Sequence, residues 1–320
     1  MEEELIQKNT AENAAELSAP PAGGKKPRSA ERETRKKFYA FISPWLVGFV
    51  LLTLGPMIYS LYMSFCEWSG ISGTGVWIGF GNYIEIFAED PLFWKSLGVT
   101  FLWTAFLPIG MVLALFLAQL LNRSMRLIPL FRTIIYIPVI LPAVANCLLW
   151  LWLFNPEVGF LNMILEAFGL PRSYWLMGED TVMLSLVIMS LWQVGGNVVI
   201  FLAALQGVPK DLLEAAEIDG AGSIIRYFRI TLPMISPVIF FQLVMGVVGA
   251  LQVFNQAALM TDGGPQQATY FFVYYIYQEA FVSYNMGYAS ALAWVLFLIV
   301  LVLTVLMIRF VGRSVYYESD

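Results

Sequence analysis

The chain is 320 residues long, 59% apolar and 13% charged, with 18 basic and 23 acidic side chains and a formal net charge of −5. An average soluble domain carries roughly 25% charge, which excludes a water-soluble enzyme with an ordinary core; several stretches approach or exceed the roughly 20 apolar residues that cross a bilayer. With no histidine, and with Cys66 and Cys147 inside or beside apolar runs, neither a disulfide framework nor a Cys/His metal site is supported.

Residues 1–37 are rich in Ala, Glu and Pro and read as a disordered tail, too polar and too long for a cleavable signal peptide. Its segment 25–37 sets seven basic residues against Glu31 and Glu33. Such a cluster either contacts anionic lipid or serves only to set topology. From Phe38 onward six apolar segments follow, at 38–66, 94–121, 129–154, 181–206, 234–257 and 286–308. They predict an all-α, polytopic membrane protein with six transmembrane helices over 38–313 and a short tail at 314–320. Pro44, Pro56, Pro108, Pro138 and Pro142 fall within these segments and predict kinks.

The charges choose the orientation. With the N-terminus inside, Lys8, Lys25, Lys26, Arg28, Arg32, Arg35, Lys36, Lys37, Arg123, Arg126, Arg132, Lys210, Arg226, Arg229, Arg309 and Arg313 are cytoplasmic. Only Lys95 and Arg172 are left outside, so the positive-inside rule places both termini in the cytoplasm. Glu67, Glu85, Glu89, Asp90, Glu157, Glu166, Glu179, Asp180, Asp262 and Glu279 fall on the outer side. Hardly any ionisable residue remains at membrane depth, which weighs against a proton-driven carrier working alone.

Polar residues within the spans are few. Trp192, Gln193 and Asn197 lie in the fourth beside Gly195-Gly196, Gln252 and Asn255 in the fifth, and Asn285 and Tyr288 at the start of the sixth. Amides and aromatic rings suit a sugar, whose hydroxyls donate and accept while its C–H faces stack. The same side chains also hold helices together by interhelical hydrogen bonds, and both readings stand.

Between the fourth and fifth spans lies a polar insert, 207–233. "VPKDLLEAAEIDG" predicts a short helix, with Asp211 as N-cap, Glu214 in capping-box position and Gly220 as the left-handed stop. Leu212, Ala215 and Ala216 share a face whose small residues permit close approach. Ser223 is placed to cap a second helix running through Arg229, and Leu232-Pro233 to begin the fifth span.

Glu214-Ala215-Ala216, Asp219-Gly220-Ala221, Phe228, Ile230, Leu232-Pro233 and Pro237 together resemble the EAA loop of the membrane subunits of ATP-binding-cassette importers. "WIGFGNYIEIFAEDPLFWKSL" (77–97) and "TDGGPQQATYFFVYYIYQEAF" (261–281) resemble the first and last external loops of sugar-importer permeases of the maltose and glycerol-3-phosphate type. Val99 departs from that pattern, in which an asparagine commonly precedes Thr100. Trp68, Trp77, Tyr83, Trp94, Tyr270 and Tyr277 read either as an aromatic belt or as a docking rim for an external protein.

The resemblance implies the type I importer permease fold in a bacterial inner membrane. It implies Glu214, Ala215, Ala216, Asp219, Gly220, Ala221, Phe228, Leu232 and Pro233 as the contact to a separate ATPase dimer. It further implies a second permease subunit, an external solute-binding protein and a carbohydrate cargo, with oligosaccharides favoured, and no nucleic acid. The chain has no phosphate-binding G-x-x-x-x-G-K-[ST] loop, since Gly23-Gly24-Lys25-Lys26 lacks the spacing and the hydroxyl. It is therefore expected to be non-catalytic and without a cofactor, with ATP and magnesium held by the ATPase. Alternatives are an ion-coupled transporter acting alone, a cargo such as a polyol or glycerol phosphate diester, and a membrane scaffold or receptor.

Overall fold

The computed structural model describes residues 28–71, 73, 75–123 and 126–312, with side chains from Lys36 onward. The first part of the expected irregular tail, with Lys8, Lys25 and Lys26, and the C-terminal segment with Arg313 lie outside the described residues. Two units are distinguished, Met1–Tyr59 and Ser60–Asp320. In the first, α1 (Arg28–Phe49) already encompasses residues 28–37, so that end of the expected tail is helical. A π turn at Val50–Leu54 leads into α2 (Gly55–Met63). Pro56 lies just beyond that turn, where a missing backbone donor is accommodated by a locally widened helix.

In the second unit a small hairpin, β1 (Cys66–Glu67) and β2 (Val76–Trp77), pairs antiparallel. The short helix α3 (Gly81–Ile84) follows. The second span is α4 (Pro91–Ala105) and α5 (Leu107–Leu121), which divide at Phe106, just before Pro108. Together with Lys36–Met63 and Met286–Phe310 it is long and apolar enough to cross a membrane as one helix.

The other three apolar segments are broken. α6 (Ile128–Ile140) and α7 (Ala143–Leu153) meet at 101°, because Leu141 is pushed to extended backbone by Pro142. α8 (Phe160–Ala167) follows on the loop. α9 (Glu179–Trp192) and α10 (Gly195–Gln206) meet at 46°. Counting each bent pair as one span gives up to six, matching the six apolar segments of the sequence.

The insert folds as α11 (Lys210–Ile218), α12 (Ser223–Arg226), a π turn at Tyr227–Thr231 and α13 (Leu232–Met234). At Ile235 the chain bends by 63° into α14 (Ser236–Leu251), with Pro233 and Pro237 each removing a backbone donor beside the bend. α15 (Phe272–Tyr277) lies on the last loop, and α16 (Met286–Phe310) completes the chain.

Among the described residues three clusters form the core. The first joins Met111, Ala114 and Ala118 of α5 to Val198, Phe201 and Leu202 of α10, with Ile235 from the bend. The second gathers Trp150 and Phe154 beside Leu186, Met189, Phe271 and Tyr274. The third packs Phe93 of α4 against Phe272, Tyr275 and the start of α16 at Tyr288, Ala291 and Leu292. Gly195 starts α10 directly against α6: a Cβ there would lie 2.2 Å from the Ile135 carbonyl oxygen. This is the small-residue approach that helix packing in a bilayer requires, where no hydrophobic effect drives helices together.

Candidate functional site

Two of the backbone breaks frame a cavity of about 410 Å³. At one, Gln193 follows the last residue of α9 and Asn197 stands in the first turn of α10; at the other, the chain unwinds after Leu251 over 252–254, with Gln252 in the unwound stretch and Asn255 where helix resumes. Non-helical backbone at membrane depth is tolerated where it lines a cavity or is buried in protein. Gln193, Asn197, Gln252 and Asn255 all line this cavity, with Ser190, Gln256, Trp103, Phe106 and Phe254. Gly110, Gly246 and Gly249 also lie along the wall. Among the described residues the lining contains amides, one hydroxyl and aromatic rings, and no ionisable side chain.

Four of the seven expected path residues are thus brought together. The other three are elsewhere. Trp192 packs edge-on against Trp150 at 5.6 Å in the core. Asn285 and Tyr288 line a separate outer pocket of about 870 Å³ with Glu67, Glu85, Glu89, Asp90 and Glu279. Their distance in sequence from the broken helices left no way to assign the pocket. Trp103, Phe106 and Ser190 were missed because they lie in ordinary apolar runs, and Gln256 although it adjoins Asn255. Gln242 was missed as well; its Nε2 donates to Asn197 Oδ1 at 2.8 Å and joins α14 to α10.

The outer pocket is organised by side-chain hydrogen bonds. Asp90 caps α4 by accepting from the Leu92 N–H at 2.8 Å, while its other oxygen accepts from the Tyr275 and Tyr288 hydroxyls at 2.6 and 2.8 Å. Asn82 is buried and donates to the carbonyls of Ser64 and Cys66 at 2.9 and 3.0 Å, and the Tyr83 hydroxyl meets Ser64 Oγ at 2.7 Å. The Asn-Tyr and Asp-Pro pairs of the 77–97 stretch therefore hold the outer loops together. Thr100 Oγ1 accepts from the Phe272 N–H at 2.9 Å, and Lys95 donates to the Gln266 carbonyl at 2.8 Å. The latter bond places Lys95 at the same end of the molecule as the 261–281 loop. Burial first, then the neighbouring Glu89, Asp90 and Glu279, raise the Glu85 carboxyl above its ordinary 4.5. Burial and the charges of Glu279, Asp262 and Asp90 push the Tyr270 phenol up to about 12.

The insert forms a hairpin. Its glycine corner is a paired C-terminal cap: the Ala221 N–H donates to the Ala216 carbonyl at 2.9 Å and the Gly220 N–H to the Glu217 carbonyl at 3.0 Å. Gly220 has φ +81°, as expected for the left-handed stop. The expected caps are corrected. α11 begins at Lys210 with Pro209 as N-cap, so Asp211 stands inside the first turn and makes no capping bond. Gly222 rather than Ser223 precedes α12, and the helical run continues from Arg226 through the π turn and α13 to Met234, past the expected Arg229. Leu232-Pro233 belongs to the hairpin's outgoing arm, with the fifth span proper starting past Ile235.

Glu214, Ala215, Asp219 and Gly220 are exposed on the hairpin, while Ala216, Ala221, Leu232 and Pro233 are half-buried. Ile218, at 87%, and Phe228, at 60%, present large apolar side chains to the surface.

A family model described as the binding-protein-dependent transport system inner membrane component matches residues 107–315. A probable ABC transporter permease protein, YesP of Bacillus subtilis, is 37% identical over 92% of this chain and 96% of its own length. The sn-glycerol-3-phosphate transport system permease protein UgpA of Yersinia pestis is 36% identical over 88% of this chain and 95% of its own. Among solved structures, a bacterial ABC transporter involved in the import of the acidic polysaccharide alginate superposes with a TM-score of 0.79 at 25% identity, covering 90% of this chain and 99% of that one. A second alginate transporter structure, in complex with an alginate pentasaccharide-bound periplasmic protein, also gives 0.79, at 24% identity over 89% and 96% of the two chains.

Proposed function

The chain belongs to the binding-protein-dependent transport system inner membrane components, the permease subunits of ABC transporters, and from that premise we propose that it carries a carbohydrate through the cavity between its broken spans. The observation that supports this cargo is the wall itself: amides to exchange hydrogen bonds with hydroxyls, and Trp103, Phe106 and Phe254 to meet the sugar's C–H faces. Relatives of the glycerol-3-phosphate type keep a phosphorylated cargo as the rival. A fixed phosphate calls for cations, and the cavity wall offers none among the described residues.

The hairpin of α11 and α12 is the contact for a separate ATPase dimer, with Glu214, Ala215, Ala216, Asp219, Gly220, Ala221, Phe228, Leu232 and Pro233 forming or shaping it. The chain is non-catalytic and multi-pass in a bacterial inner membrane. ATP and magnesium are held by the ATPase subunits, a second permease subunit completes the pathway, and an external solute-binding protein delivers the sugar. Closure of the ATPase dimer displaces the hairpin, and the displacement passes into the fourth and fifth spans, whose breaks line the cavity. The cavity then opens outward, and hydrolysis resets it.

The test is ATP hydrolysis by the complex reconstituted with its ATPase and binding protein, scored against a panel of sugars. Neutral oligosaccharides are expected to stimulate. Stimulation by glycerol phosphate diesters and by no sugar would overturn the cargo assignment.

A further inference from the structure

We infer that Arg226 is a positioning residue for energy coupling: it makes the two arms of the hairpin move as one body. The inference rests on the hairpin being the ATPase contact.

The corner alone is soft. A Cβ at Gly220 or Gly222 would meet nothing within 4 Å, so neither glycine is wedged in place. The paired cap hydrogen bonds tie the corner only to the last turn of α11. α12 continues through the π turn and α13 as one helical arm, Ser223–Met234, so the compliant element is the corner that joins this arm to α11. A displacement of α11 would be absorbed at such a corner before it reached the fifth span.

Arg226 closes that gap. From the last residue of α12 its Nη1 reaches back across the corner, donating to the Glu217 carboxylate and, at 3.4 Å, to the Leu213 carbonyl. Those two acceptors lie four residues apart, on one face of α11. The Arg226 side chain is only 23% exposed, while Glu217 is 68% exposed. A planar guanidinium held by two acceptors fixes direction as well as distance. Leu213 in turn packs against the core cluster that contains Ile235. With the corner locked, the joint that flexes is the 63° bend at Ile235, where prolines on both sides interrupt the backbone ladder. Exposed ion pairs add little to stability, so the consequence belongs in coupling rather than in folding.

The experiment measures sugar transported per ATP hydrolysed in proteoliposomes containing the whole complex. Arg226→Ala and Arg226→Glu are expected to keep the ATPase bound and hydrolysing, while the ratio falls by at least about fivefold, the low end of ordinary coupling between sites. Glu217→Gln, a milder change at an exposed position, should move the ratio in the same direction by less. Arg226→Glu combined with Glu217→Arg should recover most of the loss, as a pairwise interaction requires. A wild-type ratio in Arg226→Ala would overturn the inference. So would loss of the ATPase from that variant, which would make Arg226 a docking contact, or a double variant no better than Arg226→Glu alone. If the wild-type complex retains no ATPase, the docking reading fails and Arg226 loses its role with it.

Discussion

The hairpin of the 207–233 insert and the acidic pocket around Asp90 are both polar regions attached to apolar spans, and they are built in opposite ways. The hairpin is local: its corner closes with hydrogen bonds between residues three and five apart, and Arg226 reaches back to Glu217 and Leu213. The outer pocket is long-range: Asp90 is held by Tyr275 and Tyr288, hydroxyls that lie 185 and 198 positions further along the chain. A local device can stand away from the core and present Ile218 and Phe228 to a partner. A long-range one ties the second span, the last loop and the sixth span to each other. The difference teaches where motion is permitted: at the hairpin's attachment, and not at the outer ends of the spans.

The largest expected effect tests the local device. Gly220→Val places a β-branched residue at φ +81°, which costs about 1–2 kcal/mol and displaces the corner. Sugar uptake should fall by about tenfold or more. Gly220→Asn, which tolerates the left-handed region, should retain most uptake, because the space around the position is open. Equal losses in the two variants would show that the corner is limited by contact with a partner rather than by its backbone.

Asp90→Ala tests the long-range device. It removes a helix cap and two hydrogen bonds to the carboxylate, together worth roughly 4 kcal/mol. The midpoint of thermal unfolding of the purified complex should drop, with Tyr275→Phe giving part of the same loss. An unchanged midpoint in Asp90→Ala would sink the contrast between the two regions.

The smallest effect is a pH dependence. The Glu85 carboxyl is raised above 4.5 in the folded chain, so the folded state binds the proton more tightly than the unfolded state does. Stability therefore rises as pH falls from neutral through the folded-state value, and declines as pH climbs back through it. Because Glu85 is exposed the effect is modest. Glu85→Gln should flatten this dependence in a thermal-shift titration while leaving uptake near wild type. A slope that persists in Glu85→Gln would assign it to another group of the outer pocket.

Much of the molecule was legible before any coordinate. The six apolar segments follow from bilayer physics, which acts on each stretch separately. The glycine corner was readable for the same reason: Gly220 needs only its own φ and the preceding turn. The neighbouring caps misled, because Asp211 and Ser223 are good caps by residue type while Pro209 and Gly222 hold those places in the fold.

The substrate path divides along the same line. Gln193, Asn197, Gln252 and Asn255 could be picked as polar residues in apolar spans, but only the 46° break at Gln193 and the unwinding after Leu251 turn them toward one space. Trp192 was drawn into the core by Trp150, and Asn285 and Tyr288 into the acidic outer pocket. Composition, charge order and local turns were thus determined by the sequence alone, since they depend on single residues or near neighbours. Which polar groups face a common cavity, and that Asp90 joins the second span to the sixth, was decided by tertiary packing, which brings together groups almost 200 positions apart.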